Sequence, residues 1–170
     1  MSNAIPSTAS LLETLRHCTS AGFLLLDGHL SRLRASAAAL GGGRVVPELD
    51  ALRQTLEEHA RDWPADEASR VRLLLSPDGE LRVERTALPG GLRHPELGLS
   101  SAAPLLVRLD TEAVDRADPT LLHKSTARGV YDAARARMGV GGAGCAFFDV
   151  LLHNAEGELT ESSICNVAVE

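Results

Sequence analysis

Three side chains have types and settings that suggest chemistry. Lys124 stands within PTLLHKSTARGVY, residues 119–131, after an apolar lead-in of Leu121 and Leu122 and before a helical run expected over residues 127–138. The chain is rich in Arg and poor in Lys. A lysine that enters a helix from a partly buried turn loses its proton more readily than a surface lysine, because desolvation and the helix N-terminus both disfavour the cation. The free amine is then a nucleophile toward an aldehyde. Arg32 stands in His29-Leu30-Ser31-Arg32-Leu33, at an expected helix start just after a strand. Together with helix N-terminal amides it suits a phosphate. Glu161 lies in GELTESSICN, residues 157–166, in an otherwise small and polar strand exit with no obvious partner for an acid. Taken singly, each has an ordinary alternative: a solvated helix-start lysine, a surface arginine, and a strand-end carboxylate facing water.

These groups must be positioned by a chain of modest size. It has 170 residues, 44% of them hydrophobic, which suits one ordinary domain, or a small domain and part of another. The net charge of −6 and the absence of a basic block argue against nucleic acid or an anionic membrane as partner. No apolar run is long enough to span a bilayer; the longest, residues 145–152, is interrupted by Asp149. The start, MSNAIPSTAS, lacks the basic beginning and apolar middle of a signal peptide. Cys18, Cys145 and Cys165 are odd in number and widely spaced, which supports neither a disulfide framework nor a metal site. A reducing, cytoplasmic setting is the expectation. With aromatics at 3%, the core must be built of Leu, Val and Ala.

Residues 11–17, LLETLRH, carry two signals. Ser10-x-x-Glu13 has the form of a helix capping box, yet the alternation suits a strand equally. A turn over residues 19–22 and a short buried strand over 23–26 would complete a hairpin. Asp27-Gly28 breaks that strand, and HLSRLRASAAAL follows as a helix with Leu30, Leu33, Ala37 and Leu40 on one face, ended by Gly41 to Gly43. A second helix starts at Pro47 and runs to about Asp62, with Leu49, Leu52 and Leu56 facing inward. VRLLL, the turn Ser76-Pro77-Asp78-Gly79 and ELRVERT form the clearest hairpin. Residues 88–103 read as a loop, 105–109 as a strand and 110–118 as an acidic crossing between domains. After the Lys124 helix come a Gly-rich turn, a buried strand AFFDVLLHN, a tight turn at residues 155–157 and a second strand ELTESSICNVAVE. The order suggests an α+β, or mixed α/β, architecture.

LLETLR, HLSRLRASAAAL, DPTLLHKSTARGVYDAARA and DVLLHNAEGELTESSICN occur in this order from about Leu11 to the end of the chain. The ordered set resembles the fold-type IV (class IV) pyridoxal-phosphate aminotransferase family, which includes branched-chain and D-amino-acid aminotransferases and 4-amino-4-deoxychorismate lyase. With Arg128 and Tyr131 after Lys124, the lysine block looks most like the lyase branch. The resemblance implies a D-amino-acid aminotransferase-like fold, with a small N-terminal α/β domain (1–103), a connector (104–118) and part of a cofactor-binding domain (119–170).

It also implies pyridoxal 5'-phosphate as cofactor and a homodimer acting on a small amino substrate. Lys124 would be the catalytic lysine that joins the cofactor aldehyde. Arg32 would hold the phosphate, Glu161 would pair with the pyridine nitrogen, and Asn166, with Ser162 and Ser163, would line the site. Arg128 and Tyr131 would assist near the lysine, and His29 would pack at its helix start. The implied reaction is pyruvate elimination from aminodeoxychorismate to give 4-aminobenzoate. The alternatives are transamination of branched-chain or D-amino acids and a non-catalytic remnant. Ser162 stands where the family often has glycine, and Cys165 where serine is common. The family normally continues beyond the point reached at Glu170, so the expectation is a C-terminally incomplete second domain.

Overall fold

Alternation decides the first element. In the computed structural model, which describes residues 5–40, 46–65, 67–88 and 105–167, LLETLRHC is strand β1 (Leu11–Cys18), with Leu11, Glu13, Leu15 and His17 all buried. The capping-box reading of Ser10 and Glu13 loses because sheet pairing uses the backbone that a helix would need. β1 pairs antiparallel with a short β2 (Gly22–Phe23) and with β3 (Ser69–Leu75). β3 pairs with β4 (Leu81–Ala87) across the Ser76-Pro77-Asp78-Gly79 turn, where Gly79 takes φ 89°. The sheet order is β2-β1-β3-β4.

The strand expected over residues 23–26 is shorter than its sequence suggested. Leu25 adopts φ 52°, which turns the chain after β2, and Leu24 and Leu25 are exposed. Helix α1 (Leu26–Leu40) then begins earlier than expected and buries Leu26, Leu30, Leu33 and Ala37. Helix α2 (Leu49–Ala60) adds Leu52 and Leu56 to the same core. The Gly41 to Gly43 terminator, most of the loop expected over residues 88–103, and the boundary expected between 103 and 104 lie outside the described residues.

The chain forms two compact units. One gathers residues 5–88 with 123–127; the other gathers 105–122 with 128–167. In the second unit β5 (Val107–Leu109) pairs parallel with β6 (Asp149–His153), which pairs antiparallel with β7 (Leu159–Ser162). Helix α3 (Pro119–Leu122) is a single turn, and α4 (Gly129–Arg137) packs through Ala134 on a small core of Val140, Val150 and Leu152.

Three sequence expectations are corrected here. Residues 105–118, read as a connector, belong to the second unit: buried Asp110 accepts from Arg137 Nε at 2.8 Å, and Val114 N–H donates to the His153 carbonyl at 2.8 Å. The strand expected from Glu158 onward ends at Ser162, because the Ser162 hydroxyl closes a turn with Cys165, accepting from its N–H at 2.8 Å and donating to its carbonyl at 2.7 Å. The segment holding Lys124, expected with the second half, groups with the first unit for reasons given below. The mixed α+β class holds.

Candidate active site

The first unit holds Lys124 and Arg32. Lys124, the only lysine in the sequence, is not at a helix start. It sits five residues before α4 in an extended segment that joins the edge of β1. Leu12 N–H donates to the Lys124 carbonyl at 2.9 Å, Thr126 N–H donates to the Ser10 carbonyl at 2.9 Å, and Leu11 bridges Ser125. Lys124 is also exposed. Lys124 is thus neither buried nor at a helix start; the local backbone chooses sheet pairing over an earlier helix start.

Arg32 is fixed from the neighbouring residue of the same strand. Glu13 is 1% exposed and accepts from Arg32 Nε at 2.8 Å, from Arg32 Nη2, and pairs with His29 Nδ1 at 2.8 Å. Burial alone would raise the Glu13 carboxyl, but hydrogen bonds and charge from His29 and Arg32 outweigh it and hold the group below its ordinary range. In return the Glu13 hydrogen bond raises Arg32. Half of the Arg32 side chain stays open to solvent. One turn along α1, Ser36 Oγ lies 3.2 Å from His123 Nδ1, next to Lys124 in the chain. Residues four apart on a helix share a face, so α1 and β1 together bring Arg32 and the Lys124 segment to one side of this unit.

The second unit holds Glu161 and Asn166. Glu161 lies within β7 opposite Leu152, half-buried, rather than at a strand exit facing water. Burial first, and then the charge and hydrogen bonding of Glu161, raise the Tyr131 phenol well above its ordinary value. Asn166 is exposed beyond the Ser162 turn. Ser163 donates its hydroxyl to Asp149, so it serves a buried knot rather than an open wall. Asp149, 1% exposed, also accepts from Val150 N–H at 2.8 Å, Ile164 N–H at 3.2 Å and Arg135 Nη1 at 3.1 Å. Burial raises that carboxyl, but the Ser163 and backbone donors more than offset it and lower it.

Glu13 and Asp149 are the residues that sequence reading passed over. Each had a signal: an acid on the apolar face of an alternating strand, and an acid inside the apolar run AFFDVLLHN. No group of His, Cys, Asp and Glu suited to a metal occurs among the described residues. No described helix is long and apolar enough to cross a membrane.

Residues 10–170 match the family model for amino-transferase class IV. A Schizosaccharomyces pombe protein provisionally named aminodeoxychorismate lyase is 30% identical over 145 residues, which cover 85% of this chain and 56% of that protein. The chain thus spans little more than half of that relative. A solved Mesorhizobium loti structure, provisionally named an amino-acid aminotransferase, is 28% identical with a TM-score of 0.70, over 92% of this chain and 67% of the other. A Brucella abortus aminotransferase solved with the cofactor PLP has a TM-score of 0.66 over 95% of this chain and 58% of its own; at 17% identity that likeness concerns the fold alone.

Proposed function

The chain belongs to the class IV aminotransferase family, and on that premise we propose that it is a pyridoxal 5'-phosphate enzyme, a lyase that converts 4-amino-4-deoxychorismate to 4-aminobenzoate and pyruvate. The donor set fits this cofactor. A guanidinium pinned by a buried carboxylate, with half its side chain open, suits a phosphate. The only lysine suits an aldehyde, and Glu161 suits a pyridine nitrogen. When bound, the cofactor would supply an electron sink for bonds at the substrate's α-carbon.

The chain's own residues divide the remaining work. Arg32 anchors the phosphate, and Glu13 and His29 keep its guanidinium from swinging away. Lys124 would hold the cofactor through its aldehyde and would move a proton at the substrate's α-carbon. Glu161 keeps the ring nitrogen protonated, and Asn166 lines the site. The working assembly is a homodimer.

One observation supports this reading most. Consecutive residues of β1 tie down both groups: Leu12 holds the Lys124 main chain and Glu13 holds the Arg32 guanidinium. The similarity to the Schizosaccharomyces pombe protein favours the lyase, and the similarity to the Mesorhizobium loti structure supports a second reading as an amino-acid aminotransferase.

The test is incubation with pyridoxal phosphate and aminodeoxychorismate, scored for pyruvate and 4-aminobenzoate, and separately with amino and keto acid pairs. Pyruvate release that falls about 10²–10⁴-fold in Lys124→Ala is the expected result. Keto-acid exchange without pyruvate release would favour the aminotransferase. Borohydride should fix the cofactor at Lys124, the one side-chain amine in the chain. Absence of both labelling and turnover would leave a non-catalytic member of the family.

A further inference from the structure

The first unit has a cavity that the site above does not use. It holds about 680 Å³ and is lined by β2, the start of α1 and the second half of α2. That lies within the usual span of about 300–1,000 Å³ for a small-molecule pocket. His17 lines it from one end of β1, whereas Lys124 pairs with the other end of that strand, at Leu12. Five strand residues, roughly 16 Å, separate the two positions.

His17 is the unusual member. It is 6% exposed, and its ring packs on Phe23 and edge-on to Trp63, at centroid separations of 4.6 and 5.0 Å. Among the described residues nothing hydrogen-bonds its ring nitrogens. They are not sealed in either: the one fully enclosed side-chain nitrogen or oxygen without a partner among those residues is Arg16 Nε. The imidazole therefore meets solvent through the cavity it lines. Burial, and then the charge of Arg85, push it below its ordinary value. Near pH 7 one ring nitrogen thus keeps a lone pair and can accept from an N–H donor.

The rim carries charges of both signs. Asp27 and Arg53 satisfy each other. Glu57 and Arg61 both line the cavity, four residues apart at the end of α2 and hence on one helical face. Among the described residues neither makes an ion pair or a side-chain hydrogen bond. The remaining wall is largely apolar and includes Phe23, Leu25 and Ala60. Leu25 holds φ 52° and is 74% exposed. A leucine gains neither from that backbone nor from that contact with water, and a ligand in the cavity would cover it. An occupant that answers all of these groups is small, carries an ammonium and a carboxylate close together, and has an apolar remainder.

We propose that this cavity binds a free α-amino acid with an apolar side chain, at a site separate from Lys124. Arg61 takes the carboxylate, Glu57 and His17 take the ammonium, and Phe23, Leu25 and Ala60 cover the side chain. The site does not rest on the cofactor reading, and its test needs no cofactor.

The probe is the emission of Trp63, the only tryptophan in the chain, whose ring lies against His17 and Phe23. In the cofactor-free protein L-leucine should change this emission saturably, and titration calorimetry should give the same midpoint. 4-Methylpentanoate, which lacks the ammonium, and 3-methylbutylamine, which lacks the carboxylate, should each bind about tenfold more weakly. Arg61→Ala should weaken leucine about tenfold without weakening the amine, and Glu57→Gln should weaken leucine without weakening the carboxylate. Both positions are exposed, so these variants keep the fold. His17→Phe, which keeps a ring and removes the acceptor, should also weaken leucine; if it does not fold, the two rim variants decide. Lys124→Ala should leave the leucine midpoint unchanged.

Neither an emission change nor heat with leucine would overturn the proposal. Equal affinity for the three compounds would also overturn it, since only an apolar hollow would then be present. So would rim variants that bind leucine like the wild type, or a response lost in Lys124→Ala, which would put leucine at the lysine instead.

Discussion

Glu13 shows how a single buried acid can organise a site. Its side chain is 1% exposed, on the face that also carries Leu11 and Leu15, and it is tolerable there only because His29 and Arg32 reach it. Glu13→Gln keeps the shape and removes the charge, leaving the Arg32 guanidinium without its anion. We expect a loss of about 2–3 kcal/mol by denaturant unfolding, below the cost of breaking a fully buried pair because Arg32 is half open. The pH dependence has a definite sign. The folded carboxyl lies below its ordinary value, so its contribution is complete above the unfolded value of about 4.3 and drains as pH falls through the lower folded value. The stability gap between wild type and Glu13→Gln should therefore narrow on acidification; a gap constant down to strongly acid pH would mean the ion pair is not what holds Arg32. Glu13 could be read from the sequence as an acid on an apolar alternation, whereas its partners could not, since α1 had first to be laid across β1. Lys124 is the opposite case. Its type pointed to chemistry, but the reason given, burial at a helix start, fails because residues 124–126 pair with the edge of β1 instead.

Elements with strong local signals were legible: the β3–β4 hairpin with its glycine turn, and α1 and α2 with their leucine faces. Elements decided by tertiary hydrogen bonds were not. β1 had helix and strand signals in the same residues, and pairing with β3 settled it. β7 stops early because a serine side chain competes for the backbone of Cys165. The Gly-rich turn after α4 was expected from composition, but its purpose appears only in three dimensions. Gly141 has φ 95°, and a Cβ there would lie 2.9 Å from Arg135 Nη2. Arg135 also donates to Asp149 and to the Ser163 hydroxyl, so the turn, α4 and the exit from β7 meet at one guanidinium. Gly141→Ala should cost about 1–3 kcal/mol from backbone strain and displacement of that side chain. Gly142→Ala, with nothing within 4 Å of the added carbon and no positive φ, should cost little. Thermal unfolding of the two variants side by side is the check, and equal midpoints would show that the Arg135 contact is dispensable.

At the scale of the whole molecule, the two units are unequally furnished. The first has a continuous leucine core from β1, α1, α2 and β3. The second rests on Ala134, Val140, Val150 and Leu152, with half-buried neighbours such as Phe147 and Met138. The surface reflects the difference. Of the large apolar side chains exposed among the described residues, only Leu24 and Leu25 belong to the first unit; Leu105, Leu106, Val107, Leu109, Phe148, Leu159, Ile164 and others belong to the second. Four of these, Leu105, Leu106, Val107 and Leu109, lie on the lead-in to β5 and in β5 itself, which pairs only with β6 among the described residues. An apolar edge strand with open backbone groups invites further pairing, and a patch of this kind is where hydrophobic dyes collect. We therefore expect the isolated chain to bind such a dye and to sediment with a concentration-dependent mass. Leu105 is 60% exposed and Leu109 53% exposed, so replacing both with Lys should change the unfolding midpoint little, as is usual for surface substitutions. The same double variant should reduce dye fluorescence severalfold and shift the protein toward a monomer. If the wild type is already monomeric with no dye signal, or if the double lysine variant leaves both measurements unchanged, the apolar edge of β5 is not the surface through which this chain associates.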